Sequence, residues 1–181
     1  MKIFVLGKQK GVSMVEIIVT MVIVAIGLLG VASLQANTLK YLKSANYRSE
    51  ATQAAYDISD RMRANGQAIK DKDTGAAPNF YNYQTPYATT IASLPTVPGC
   101  ANSNNCTPQE VANKDVAEWL RTLGTRMYGG AGYIVQNAVG GYDVTVMWKE
   151  PNFTAVDPAC PAATPPAPGA GVRCISLRFT P

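Results

Sequence analysis

The chain contains no histidine. That absence excludes Ser-His-Asp and Cys-His catalytic centres together with every histidine-ligated metal site. Charge is also scarce: Asp, Glu, Lys and Arg make up 15% of the 181 residues, and the formal net charge of +4 is dispersed along the chain. A nucleic-acid footprint needs Lys and Arg clustered on one face, so no nucleic-acid partner is expected. The first ten residues have no acid, yet Lys2, Lys8 and Lys10 lie there, and from residue 12 onward 13 basic residues face 12 acidic ones. Cysteine is missing before position 100, and neither Pro nor Gly occurs from Leu39 to Asn65. The length allows one ordinary domain.

What is present begins with Ile17 to Leu39, 23 residues without a charged side chain. As a helix, at about 1.5 Å per residue, the segment spans roughly 34 Å, enough to cross a hydrocarbon core about 30 Å thick. The basic start favours a cytoplasmic N-terminus, although Lys40, Lys43 and Arg48 flank the other end and weaken that bias. The four cysteines, Cys100, Cys106, Cys160 and Cys174, all follow the apolar segment. Their spacings do not match the paired knuckles of a zinc site, and no histidine can complete a mixed one, so disulfides in an oxidising compartment are the economical reading. Of the three possible connectivities, Cys100 with Cys106 and Cys160 with Cys174 is preferred, because each pair brackets a turn-rich stretch. No metal and no cofactor is expected.

A basic start and an apolar core also describe an ordinary signal peptide, for which Gly30-Val31-Ala32 or Leu34-Gln35-Ala36 supplies small-residue cleavage sites. Two features disagree. The apolar segment is longer than the usual signal-peptide core of about 7 to 15 residues. Glu16 also sits at its entrance, where an ionised carboxylate without a partner is costly.

The segment KGVSMVEIIVTMVIVAIGLLGVASLQ, Lys10 to Gln35, resembles the class III signal of type IV prepilins and related pseudopilins. The resemblance implies that a membrane-embedded prepilin peptidase cuts the Gly11-Val12 bond and that Val12 is then N-methylated. It implies further that the apolar segment stays in the mature protein, with Glu16 as its fifth residue. The family usually has Phe at the first mature position, where this chain has Val12. Cleavage would leave a positive α-amino group at Val12. A neighbouring subunit's Glu16 could pair with it inside a packed bundle, favouring one axial register over others. The plainer alternative is a glutamate that reaches the headgroups at the membrane edge.

Beyond the membrane segment, Leu42, Ala51, Ala55, Ile58 and Met62 recur at helical spacing, so one helix is expected from Ser13 to about Asn65, with Gly66 as its C-terminal cap. Gly27 and Gly30 inside it permit either close packing or local unwinding, or are small residues that lipid tolerates. Residues 67 to 106 read as a long loop. Its tyrosines at 81, 83 and 87 are expected to pack on the long helix, the alternative being a binding surface. Thr107, Pro108 and Glu110 form a capping-box signature for a helix carrying Val111, Val116, Trp119, Leu120 and Leu123 and ending near Gly124. Asp115 and Glu118 on it are either paired carboxylates or, the favoured reading, solvated surface charges. Tyr133 to Val139, a Gly140-Gly141 turn and Tyr142 to Lys149 predict a β-hairpin. After a Pro-rich loop, Val172 to Phe179 predicts a third antiparallel strand, with Ile175, Leu177 and Phe179 on one face. The exposed stripe of the long helix is the available cover for such a sheet.

The order Cys106-Thr107-Pro108, Asp115, Trp119, Gly129-Gly130-Ala131-Gly132 and Val144 to Trp148 is similar to the minor pilins called PilV. The two resemblances together imply an α+β pilin fold: a long N-terminal helix, membrane-spanning in its first half, packed on a small antiparallel sheet with two disulfides. They divide the chain into a leader (1–11), an apolar assembly half-helix (12–35), an amphipathic half-helix (36–66) and a periplasmic head (67–181). The implied protein is a non-enzymatic minor pilin, single-pass in the inner membrane and later in the pilus fibre or its tip. Its implied partners are prepilin peptidase, other minor pilins and the major pilin. A type II secretion pseudopilin, or a secreted binding protein or adhesin, is the alternative.

Overall fold

The structure is a computed structural model that describes residues 11–70, 78–100, 105–137, 140–150, 153–161 and 168–180. The basic leader before Gly11, Val139 at the hairpin and much of the Pro-rich loop therefore lie outside the described residues. Helix α1 runs Met14–Ala64, followed by the single turn α2 (Gly66–Ile69), the short α3 (Tyr87–Ala92) and α4 (Pro108–Arg126). Strands β1 (Ala131–Gln136), β2 (Tyr142–Lys149) and β3 (Val172–Phe179) form one antiparallel sheet in the order β1-β2-β3. The chain divides into two compact units with the boundary between Lys43 and Ser44, so the second half of α1 belongs to the same unit as the sheet.

Within that second unit the core lies between α1, α4 and one face of the sheet. Ala51, Ala55, Ile58 and Met62 are buried as their spacing implies, and Tyr47 and Ser59 join them. Ser59 is tolerated there because its hydroxyl donates to the Ala55 carbonyl at 2.7 Å. Leu42, expected on the same stripe, is instead 59% exposed. It precedes the unit boundary, and the stripe begins only at Tyr47. From the sheet come Tyr142, Val144, Val146 and Trp148, alternate residues of β2 and hence on one face, with Ile134 and Phe179. Ile175 and Leu177 pack against this cluster half-buried.

The capping box at the start of α4 is formed: Thr107 Oγ1 accepts from the Glu110 amide at 3.2 Å, and Glu110 Oε2 accepts from the Thr107 amide at 2.8 Å. The far end agrees with expectation: the helix ends at Arg126, two residues past Gly124, which lies in its last turns under the Leu94 side chain. Gly66, by contrast, starts a new helical turn rather than capping α1. The break falls at Asn65, whose side-chain amide donates to the Pro108 carbonyl at 2.8 Å and to the Tyr81 hydroxyl at 3.2 Å.

Residues 67 to 106 are not wholly loop, since they carry part of α2, all of α3 and a bridge from Tyr83 to Ile134 that extends the β1 edge. The three tyrosines also go to different places. Tyr81 is fully buried with the α1 cluster, and Tyr83 packs at its margin. Tyr87 lies on the opposite face of the sheet with Ala131, Tyr133, Met147, Val172 and Cys174. This second cluster buries Met147, and Thr145, two residues away on the same face, is buried with its hydroxyl bonded to that of Ser176 at 2.8 Å. The hairpin connection is wider than a Gly-Gly turn: β1 ends at Gln136 opposite Tyr142, and Asn137 closes the loop, its amide donating to the Gly141 carbonyl at 2.8 Å.

Candidate assembly stem and the contacts that hold the head

At the N-terminal end, Gly11, Val12 and Ser13 are non-helical and exposed, and no atom lies within 4 Å of the position a Cβ on Gly11 would take. The helix starts one residue later. The Ser13 carbonyl accepts from the amides of Glu16 at 3.0 Å and Ile17 at 3.3 Å. Glu16 thus lies in the first turn, where a carboxylate is favoured by the unpaired amides and the helix dipole. Gly11, Val12 and Glu16 fall within six consecutive residues, with the candidate bond in an open segment and the acid on the helix that follows.

Every residue from 11 to 43 is exposed. Among them are Ile17, Val22, Ile26, Leu29 and Leu34, so the stem presents apolar side chains on all sides. Contiguous apolar surface of this extent marks lipid or protein contact. The helix is long and apolar enough to cross a membrane. Its backbone is satisfied internally, as a lipid-facing segment requires, and the Thr20 and Thr38 hydroxyls donate to the carbonyls of Ile17 (2.8 Å) and Leu34 (2.9 Å).

In the head, two disulfides join Cys100 to Cys106 and Cys160 to Cys174, with Cα atoms 5.2 and 5.0 Å apart. The second ties the Pro-rich loop to β3. Beside it Arg173 lies 3.0 Å from Glu150 and 3.6 Å from Asp157, its guanidinium 3.6 Å above the Phe153 ring. Among the described residues, no group of His, Cys, Asp and Glu is arranged to hold a metal ion.

Asp115 and Glu118 are not free surface charges. Both reach Arg61 of α1, at 3.4 and 3.0 Å, and Arg61 also meets Asp57 at 3.0 Å. Burial alone would lower the Arg61 pKa, but the bond to Glu118 and the charges of Asp57 and Asp115 outweigh it and raise it. The Tyr81 hydroxyl donates to Asp115 at 2.7 Å, and burial together with that bond pushes its pKa up. Arg61 therefore fastens α4 to α1. Sequence reasoning missed it: Arg61 lies off the apolar stripe, and its partners are more than 50 residues away.

The prokaryotic N-terminal methylation motif, the class III prepilin signal, matches residues 6–32. No curated protein and no solved structure gives a match. The motif and the fold, a long N-terminal helix that is apolar in its first half and whose second half packs with a small three-stranded sheet, with two disulfides, make the chain pilin-like, of the type IV pilin or pseudopilin kind. They point to a structural subunit that prepilin peptidase processes and that assembles with other pilins.

Proposed function

We propose that the chain is a minor pilin of the type IV pilus. Prepilin peptidase cuts between Gly11 and Val12, Val12 is N-methylated, and the protein waits in the inner membrane with its head in the periplasm. It then joins other minor pilins and the major pilin through the apolar half of α1, helping to prime the fibre. The observation that carries this reading is that the methylation motif runs without a break into a helix whose later turns are core of the head. Cutting such a chain at an ordinary signal-peptidase site would discard the stem that the motif specifies. The order of Cys106-Thr107-Pro108, Trp119 and the glycine run before β1 supports the minor-pilin assignment within the wider class.

The test is the intact mass of the mature protein from its own bacterium. A chain beginning at methylated Val12 is expected, and one beginning near Ser33 or Asn37 would replace the proposal with a secreted binding protein. Deleting the gene then separates the assembly systems. Loss of surface fibres with protein secretion intact is expected of a minor pilin, and the reverse pattern identifies a pseudopilin.

A further inference from the structure

The positive charges at the outer end of the apolar segment have no part in the assembly just proposed. Between Glu16 and Glu50 the only charged residues are Lys40, Lys43 and Arg48. More basic residues join them at the end of the head that α1 enters at Ser44. Helix α4 runs antiparallel to α1: Asn65 donates to the Pro108 carbonyl, Trp119 donates to the Ala54 carbonyl, and Arg126 shares a cleft with Glu50. The C-terminal end of α4 is thereby returned to the entry of α1. Next to it the Lys149 amide donates to the Tyr128 carbonyl at 2.8 Å, and the Lys149 methylenes lie over Gly129. Arg48, Arg126, Tyr128 and Lys149 are all exposed. Arg61, Arg63, Arg173 and Arg178 each have a carboxylate within 3.0 Å, whereas Lys40, Arg48, Arg126 and Lys149 have no ion pair among the described residues. The acids at this end, Glu50, Glu150 and Asp157, are half-buried, and Arg173 takes the last two.

An exposed cluster of one sign that meets no counter-charge in its own chain fits an anionic partner. The partner's place follows from α1. At about 1.5 Å per residue, Lys40 and Tyr41 lie roughly 2 to 3 Å beyond Leu39 along the helix, inside a headgroup layer about 5 to 7 Å deep. Arg48 lies roughly 14 Å beyond Leu39, so about one Debye length of 8 Å separates it from the lipid surface. We propose that this end of the head docks on anionic phospholipid of the leaflet from which α1 emerges. Lys40, Arg48, Arg126 and Lys149 meet lipid phosphates, and the exposed rings of Tyr41 and Tyr128 seat among the headgroups. Each basic residue near such a surface contributes a factor of about five in affinity. Docking keeps the stored subunit's head on the bilayer until assembly withdraws it. The membrane is inferred from the pilin reading above, on which this proposal rests.

The test uses the full-length protein in vesicles of phosphatidylcholine, with or without about 30% phosphatidylglycerol, and with a nitroxide on the lipid headgroups as quencher. All four native cysteines are in disulfides, so a fluorophore can be placed on Thr125→Cys, beside Arg126, or on Gln67→Cys, at the far end of the head. Phosphatidylglycerol should raise quenching at Thr125→Cys about threefold or more and leave Gln67→Cys unchanged. Salt at about 1 M, which cuts the Debye length to about 3 Å, should abolish the rise, and this arm needs no change to the basic residues. Arg48→Glu, Arg126→Glu and Lys149→Glu together should abolish it too. Lys70→Glu, at an exposed residue of the far end with no described ion pair, should not. Quenching equal in the two lipid mixtures, insensitive to salt, or lost equally with Lys70→Glu would overturn the docking surface. So would energy transfer between labelled copies in place of lipid quenching, which would assign the surface to a second copy of the chain. These outcomes are read on a chain that keeps its stem; a mature chain beginning near Ser33 in the mass measurement would strike the pilin reading instead.

Discussion

Trp119 lies against Gly132 of β1 while its Nε1 donates to the Ala54 carbonyl of α1 at 2.9 Å, so one side chain ties α4 to two other elements. A Cβ at position 132 would clash with the six-membered ring of the indole. The ring has little room to retreat because it is 1% exposed and anchored at its nitrogen. Gly132→Ala should therefore cost about 1 to 3 kcal/mol by overpacking, read as a lower midpoint in thermal or denaturant unfolding. Gly99→Ala, with open space around its Cβ position, serves as the neutral control. Gly129 is constrained differently, by a φ of +62° and by the Tyr87 hydroxyl, which donates to its carbonyl at 2.8 Å. Burial, with a smaller contribution from Tyr128, pushes the Tyr87 pKa up to about 12. None of these meetings was legible in the sequence. The glycine run stood out only through its order relative to Trp119, and contact between residues on different elements leaves no periodic signal. The Arg61 contacts were hidden for the same reason, although Asp115 and Glu118 had been singled out.

At the scale of elements the sequence was more informative, because the signals are local. Thr107, Pro108 and Glu110 marked the start of α4 through hydrogen bonds that close within one turn, and the alternation in Tyr142 to Lys149 marked β2. An error arose where Gly66 was read as an ending, since it continues into α2. The cover of the second face of the sheet, Tyr87 and the Cys160 loop, was not legible because it comes from segments without sustained periodicity. That face depends on the Cys160–Cys174 bond, which closes a loop of about 15 residues and should stabilise by roughly 3 kcal/mol in the chain-entropy model. Replacing both Cys160 and Cys174 by Ser should lower the melting temperature by roughly 10 °C without leaving an odd thiol. An unchanged melting temperature would show that the ion pairs of Arg173 and the strand pairing suffice to hold the loop.

For the whole molecule the question is what selects one arrangement of stems over another. Lipid tails and a neighbouring apolar helix are almost equally good surroundings for Ile17 to Leu39, so hydrophobicity holds the stem in an apolar medium but does not choose its axial position. Glu16 is the only charged side chain from Gly11 to Leu39. In a bundle, its partner would be the positive amine that cleavage creates at Val12 of a neighbour, and a stem docked out of register would leave both charges unpaired at a cost of a few kcal/mol. Replacing Glu16 with Ala should therefore leave cleavage and membrane insertion unaffected, since neither step uses the pair, yet reduce incorporation into the assembly by about tenfold or more. The measurement is the ratio of this protein in sheared surface fibres to that remaining in the membrane fraction. Equal ratios for the native and Glu16→Ala chains would show that apolar packing alone sets the register. A fall in the mature membrane-bound form itself would instead place the glutamate in processing or insertion.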